Sequence, residues 1–126
     1  MTDAIKIFVD AAPPSANRIW LPNRNGGKPY LNPAYEQFKA LTRLRCVGVK
    51  IPKDWEYCAV EIIVHPKKRS GDVDNRIKAT LDALTFAGVW TDDSVVAEVK
   101  ARFGAPDKKG CVLIKLERRE TKFADE

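Results

Sequence analysis

The stretch from Gly71 to Asp93, G-D-V-D-N-R-I-K-A-T-L-D-A-L-T-F-A-G-V-W-T-D-D, constrains this chain more than any other. It opens with acids at Asp72 and Asp74 and runs through an apolar helical repeat to Gly88, the usual residue for a left-handed helix cap. Two more acids, Asp92 and Asp93, follow at once. The pattern predicts a helix over 73–87, with Val73, Ile77, Leu81 and Leu84 as its apolar stripe. Asp74, Lys78 and Asp82 then fall within about 80° of one another as a polar strip on the helix shoulder. A helix folding back on the strand after it would bring the two acidic ends together. Oxygen ligands gathered in that way suit a hard divalent cation.

Around this stretch the chain alternates between strand and helix periods. Ile5, Ile7 and Val9 alternate with polar or outward residues as a first strand. Pro, Asn and Gly then recur too often for regular structure until Tyr30. That long connection carries Arg18, Arg24, Lys28, Trp20 and Tyr30. It reads either as a surface loop whose Trp20 tucks into the core, or as cations and rings offered to phosphates and unstacked bases. Asn32-Pro33 starts a helix over 33–47, in which Tyr35, Phe38, Leu41, Leu44 and Val47 recur at three-residue steps. Cys58, Val60, Ile62 and Val64 alternate along a second strand, and Ile63 on the other face suggests some cover there too. A third strand alternates Val95, Ala97, Val99, Ala101 and Phe103. After a hairpin loop, a fourth sets Val112, Ile114 and Leu116 against Cys111, Leu113 and Lys115. The charged tail 119–126 is expected to fray.

The order β-α-β-α-β-β predicts an α+β fold: one two-layer domain over 1–126, with two main helices on a four-stranded, mostly antiparallel or mixed sheet. Strand order is not readable. A length of 126 residues supports one core, and 44% hydrophobic with 31% charged residues is ordinary for a soluble domain. No apolar run approaches the roughly 20 residues of a membrane span, and the N-terminus lacks a signal-peptide pattern. Cys46, Cys58 and Cys111 are widely spaced and odd in number, which predicts reduced, mostly buried thiols of a cytosolic protein. The net charge of +5 is compatible with a polyanionic partner without requiring one.

Each acid also has a structural explanation. Asp72 suits an N-cap, Asp74 suits the positive end of a helix, and Asp92-Asp93 suit a turn. For Asp92 that explanation suffices. The set is harder to dismiss, because like charges so close are costly without a cation. Lys78, one turn beyond Asp74, adds a fixed charge of the kind phosphoryl chemistry uses. An EF-hand starting at Asp72 would need Gly and Glu where Ile77 and Ala83 stand. No P-loop, G-x-S-x-G or zinc-ligand spacing occurs. What survives is Mg²⁺- or Mn²⁺-assisted hydrolysis of a phosphodiester. Lys67, Lys68 and Arg69, just ahead of the acids, read as a phosphate contact or as a solvated turn. His65, the only histidine, reads as a strand-edge residue more readily than as a base or ligand.

The run D-V-D-N-R-I-K, then L-D-A-L, then G-V-W-T-D-D resembles the RusA family of Holliday-junction resolvases, whose pattern is D-x-D-N-x-x-K, L-D-A-L and G-x-x-x-D-D. P-P-S-A-N-R at Pro13 to Arg18 is similar to that family's N-terminal loop. The resemblance spans nearly the whole chain. It implies a cytoplasmic, bacterial or phage-encoded endodeoxyribonuclease that binds four-way DNA junctions as a homodimer and makes paired symmetric nicks with Mg²⁺ or Mn²⁺. Asp72, Asp74 and Asp93 would then be the metal-binding carboxylates, and Lys78 the essential cation. Asn75 and Asp82 would support the site, and Asn17 and Arg18 would serve DNA binding or architecture; Lys67, Lys68 and Arg69, by their position beside the acids, are the further DNA-binding candidates. One departure is Gly71, where members of the family often carry arginine; Arg69 stands two residues earlier. Two other readings stay open: a branched-DNA binding protein without cleavage, and a metal-dependent nuclease for another nucleic-acid structure.

Overall fold

The computed structural model describes residues 4–69 and 71–124, so the last two residues of the expected frayed tail lie outside it. Alternating apolar residues build four long strands: β1 Ala4–Val9, β4 Tyr57–His65, β5 Val96–Phe103 and β6 Cys111–Arg119. They form one mixed sheet in the order β1-β6-β4-β5. β6 pairs antiparallel with both β1 and β4, whereas β4 and β5 run parallel. The α+β expectation holds. The long early connection adds one irregular-looking exception, a two-residue hairpin of β2 Trp20–Leu21 and β3 Tyr30–Leu31.

One face of the sheet carries the core. Ile7 and Val9 of β1, Cys58, Val60, Ile62 and Val64 of β4, and Val112, Ile114 and Leu116 of β6 are all buried. Period-2 alternation places them on a single side. On the other side Ile63 is half-buried, while Phe8 and Leu113 remain substantially exposed. In β5 the simple alternation fails. The β4–β5 register shifts between Cys58 and Ala59, where Val96 and Glu98 are successive partners. Ala97 is thus the extra residue of a bulge, and Val96 joins Val99 and Ala101 against the core.

The helices cover the core face. Helix α1, Pro33–Arg45, begins where the Asn32 side chain accepts from the Ala34 N–H at 2.9 Å. The expected stripe is only half right: Tyr35 and Phe38 are buried, but Leu44 and Val47 are 61% and 78% exposed. Three-residue steps rotate about 60° per step away from the helix period, so Leu44 has swung to the far side. Thr42, seven residues after Tyr35, takes the inner position and donates its hydroxyl to the Phe38 carbonyl at 2.7 Å.

The second helix arrives in two pieces, a 3₁₀ turn Val73–Arg76 and then α2 Ile77–Phe86. Its buried face is Ala79, Thr80, Ala83 and Leu84, with Ile77 and Leu81 only partly covered. Three of those four residues are small, which permits the close approach of α1 and α2. The helix ends as expected: Gly88 has φ +80°, and the Val89 N–H reaches the Leu84 carbonyl at 3.1 Å. Among the described residues no helix is long and apolar enough to cross a membrane.

Candidate active site

The residues on either side of α2 decide what the site offers. Asp72 occupies the N-cap position of the turn Val73–Arg76 with extended backbone (φ −105°, ψ 147°), yet its side chain makes no capping bond. Its carbonyl accepts from the Asn75 N–H at 3.2 Å. Asp74 lies in the first turn and is exposed. Asp93 opens a second 3₁₀ turn, Asp93–Val95, capped in position but not in bonding by Asp92. Among the described residues none of these four acids enters an ion pair. The capping explanation for Asp72 therefore has no bond behind it.

The acids are not gathered into a ready cage. Among the described residues no group of three Asp, Glu, His or Cys is close enough to hold a metal. β4 and β5 run parallel, which requires a crossover between them. Asp72 and Asp74 precede the crossover helix and Asp93 follows it, and ten helical residues span about 15 Å. Asp72 and Asp74 are both exposed at the head of the crossover.

Lys78 stands one turn into the helix, and its side chain is 65% exposed. Its ammonium lies 3.3 Å from Oδ2 of Asp82, one helical turn further on. The same Oδ2 accepts from the hydroxyl of Tyr35 on α1, at 3.1 Å. Burial first, then the charge and hydrogen bond of Asp82 and the charge of Glu36, push the Tyr35 hydroxyl up to about 12. Periodicity assigns Tyr35 to the core alone; its partner is 47 residues away, so no local pattern announces the bond. The ring belongs to a small cluster with Ile19 and Ala79, backed by Ala16 and Leu31. Asn75 is half-buried, and among the described residues its side chain makes no hydrogen bond that would mark it as a cap.

The early loop is tied to this turn. The turn Ala16–Arg18 packs against the turn Val73–Arg76 and against α2. Ser15 accepts from the Asn17 N–H at 3.3 Å, and the Asn32 amide donates to the Arg18 carbonyl at 2.7 Å. Arg76 donates to the Pro13 carbonyl at 3.0 Å. Asn17 and Arg18 themselves are exposed. Trp20 does not tuck into the core: it is 59% exposed, and Ile19 is buried in its place.

Lys67, Lys68 and Arg69 are exposed, as a phosphate contact requires. Lys67 and Lys68 line an open groove of about 410 Å³ with Arg76, Lys109, Pro13 and Gln37. Lys109 comes from the β5–β6 connection, which is not the expected hairpin because β4 lies between the two strands; its distance in sequence from Lys67 hides the groove. Arg69 and Gly71 border a second cleft with Pro66, Phe103, Gly104 and Pro106. His65 lies against Gly104, with its Nδ1 2.8 Å from the Ala105 carbonyl, as a strand-edge residue does.

The fold and the placement of these residues define a small α+β domain with exposed acids and cations on one helix and the loops around it. Residues 10–117 match the family model of endodeoxyribonuclease RusA, and the chain belongs to that family. It is 33% identical over 95 residues to the crossover junction endodeoxyribonuclease RusA of Shigella sonnei, covering 70% of this chain and 73% of that one. Its likeness to the protein of the same name from Enterobacteria phage 82 is 30% over the same coverage. The RusA of Aquifex aeolicus is 27% identical over 117 residues, covering 90% of this chain and 91% of that protein.

Proposed function

We propose that this chain is a metal-dependent endodeoxyribonuclease that resolves four-way DNA junctions by paired symmetric nicks, working as a homodimer with Mg²⁺ or Mn²⁺. Family membership and the activity that the relatives' names carry support the reaction class. One observation carries the site: Asp72 and Asp74 lie exposed at the head of α2 and commit their carboxylates to neither a cap nor, among the described residues, an ion pair. Surface acids without a structural task, next to a lysine and cationic grooves, suit a site that meets phosphate through a cation.

The donor set fits a hard ion. Mg²⁺ keeps several waters and commonly takes one or two carboxylates together with substrate phosphates, so no preformed three-acid cage is required. Asp72 and Asp74 would hold it, with Asp93 joining in the complex with DNA. Bound there, the ion would supply Lewis-acid activation of the phosphodiester and lower the pKa of water. Lys78 offers its ammonium to the negative charge that develops on the phosphoryl oxygens. Asn17, Arg18, Lys67, Lys68 and Arg69 position the backbone and make affinity salt-dependent. A two-fold enzyme matches a branched substrate of approximate two-fold symmetry.

The test is cleavage of an end-labelled four-way junction with Mg²⁺, with Mn²⁺ or with EDTA, beside Asp74→Asn, duplex DNA and folded RNA. Paired nicks that need both metal and Asp74, and that favour the junction, are expected. Tight junction binding without nicks would leave a binding module. Equal cutting of RNA or of flaps would assign a different substrate.

A further inference from the structure

We infer that Tyr35 is a positioning residue for the nuclease reaction, fixing Asp82 and through it the ammonium of Lys78. The inference rests on the reading of Lys78 as the cation that meets the scissile phosphate. Lysine carries a long, flexible stem, and an exposed i,i+4 pair alone holds such a head weakly. Here the acid of the pair is itself anchored. Oδ2 of Asp82 accepts from Tyr35 Oη at 3.1 Å and lies 3.3 Å from Lys78 Nζ, so both partners converge on one oxygen.

The anchor is firm because Tyr35 does not sit on the surface. It is 7% exposed, packed with Ile19 of the early loop and Ala79 of α2. Lys39 lies over the outer face of its ring, 5.1 Å from the centroid. The hydroxyl thus reports the packing of three segments to a single carboxylate. Burial and the nearby carboxylates keep the phenol protonated throughout the range in which nucleases work, so it remains a donor. The arrangement transfers no proton. It removes rotational freedom from Lys78 and holds the ammonium beside Asp82.

The test uses the intact protein and the variants Tyr35→Phe and Lys78→Gln, alone and together, on a four-way junction. Tyr35→Phe keeps the ring and the core and removes one oxygen. We expect kcat to fall about tenfold with junction affinity unchanged. In the Lys78→Gln background the same substitution should alter kcat by less than about twofold, since the group it positions is gone. Equal losses in the two backgrounds, or a loss that follows the folded fraction in urea, would overturn the inference. A second measurement is independent of cleavage: the ¹⁵N relaxation of the Lys78 ammonium. Greater mobility in Tyr35→Phe and in Asp82→Asn than in the wild type is expected, and equal mobility refutes the anchoring. If the wild type cuts no junction, the proposed function fails, and the relaxation data alone still decide whether Tyr35 orders Lys78.

Discussion

Substituting Asp72 separates a structural acid from a chemical one. A side chain that caps a helix contributes about 0.5–2 kcal/mol, lost on replacement by alanine. Asp72 has the position and backbone of an N-cap, yet its carboxylate takes no N–H bond and, among the described residues, no ion pair. Its remaining contribution is attraction to the helix end, a few tenths of a kcal/mol at an exposed position. Asp72→Asn and Asp72→Ala should therefore change unfolding free energy by less than about 0.5 kcal/mol. Without divalent metal, DNA binding should hold or improve. A unit charge facing a phosphate at about 4 Å in water-like surroundings costs about 1 kcal/mol, and its removal tightens binding up to about fivefold. Cleavage should fall at least about a hundredfold, the loss expected when transition-state charge goes unsupported. Urea melts followed by circular dichroism, anisotropy on a labelled junction and the nicking assay read the three quantities on one preparation. A drop of 1–2 kcal/mol in stability, with nicking lost only as the folded fraction falls, would show that Asp72 is a cap and that the argument from its missing bond is mistaken.

Three further outcomes test the fold beneath the site. Leu84→Ala, at a fully buried position, should cost about 2–5 kcal/mol in a urea melt, whereas Leu44→Ala should fall within about 0.5 kcal/mol; similar costs would restore the three-residue stripe. Gly104→Ala sets a methyl carbon against the His65 ring, which is hydrogen-bonded in place, and should destabilise by about 1–3 kcal/mol; His65→Ala in the same chain should recover most of that, and no recovery would place the strain elsewhere. Burial pushes the Cys58 thiol from its usual 9.0 up to about 11, and Tyr35 moves from 10.0 to about 12. Both groups hold their protons more tightly folded than unfolded. Their contribution is therefore complete below about pH 9 and is lost as pH rises toward 12. Melts from pH 8 to 11 should show falling stability that Cys58→Ala flattens relative to its own baseline; an unchanged slope in that variant would remove Cys58 from the account.

What could be read in advance divides by distance along the chain. The inner residues of β4 and β6 declare themselves, because period-2 alternation is a property of neighbours. Asp72, Asp74 and Lys78 stand out for the same reason, being packed into seven residues at helical spacing. Ala97 does not, since a bulge is defined by the partner strand and the sequence shows only continued alternation. Leu44 misleads because an apolar residue at a three-residue step looks like core until the true period is followed for several turns. Tyr35 and Asp82 meet only because α1 and α2 pack, a fact about two helices that neither encodes alone.

The spacing of the acids shows how far one nonlocal fact can reach. An antiparallel β4–β5 pair would close with a short turn and could set residues on either side of it against each other. The parallel pair forces a crossover, and the crossover is α2 itself. Asp74 and Asp93 therefore stand before and after a helix of about 15 Å, although the sequence alone invites them to meet. Among the described residues no three such acids are close enough to hold a metal, so on the proposed reading the two head acids bind the ion together with a phosphate and the third joins in the complex. On this geometry metal affinity should be weak without DNA and should rise when a junction is bound, because the substrate supplies both the missing ligands and the force that closes the gap. Calorimetric titration of Mn²⁺ into the protein, without DNA and with an uncleavable junction, reads that coupling directly. Equal affinity in the two titrations would mean that the acids form a complete site unaided.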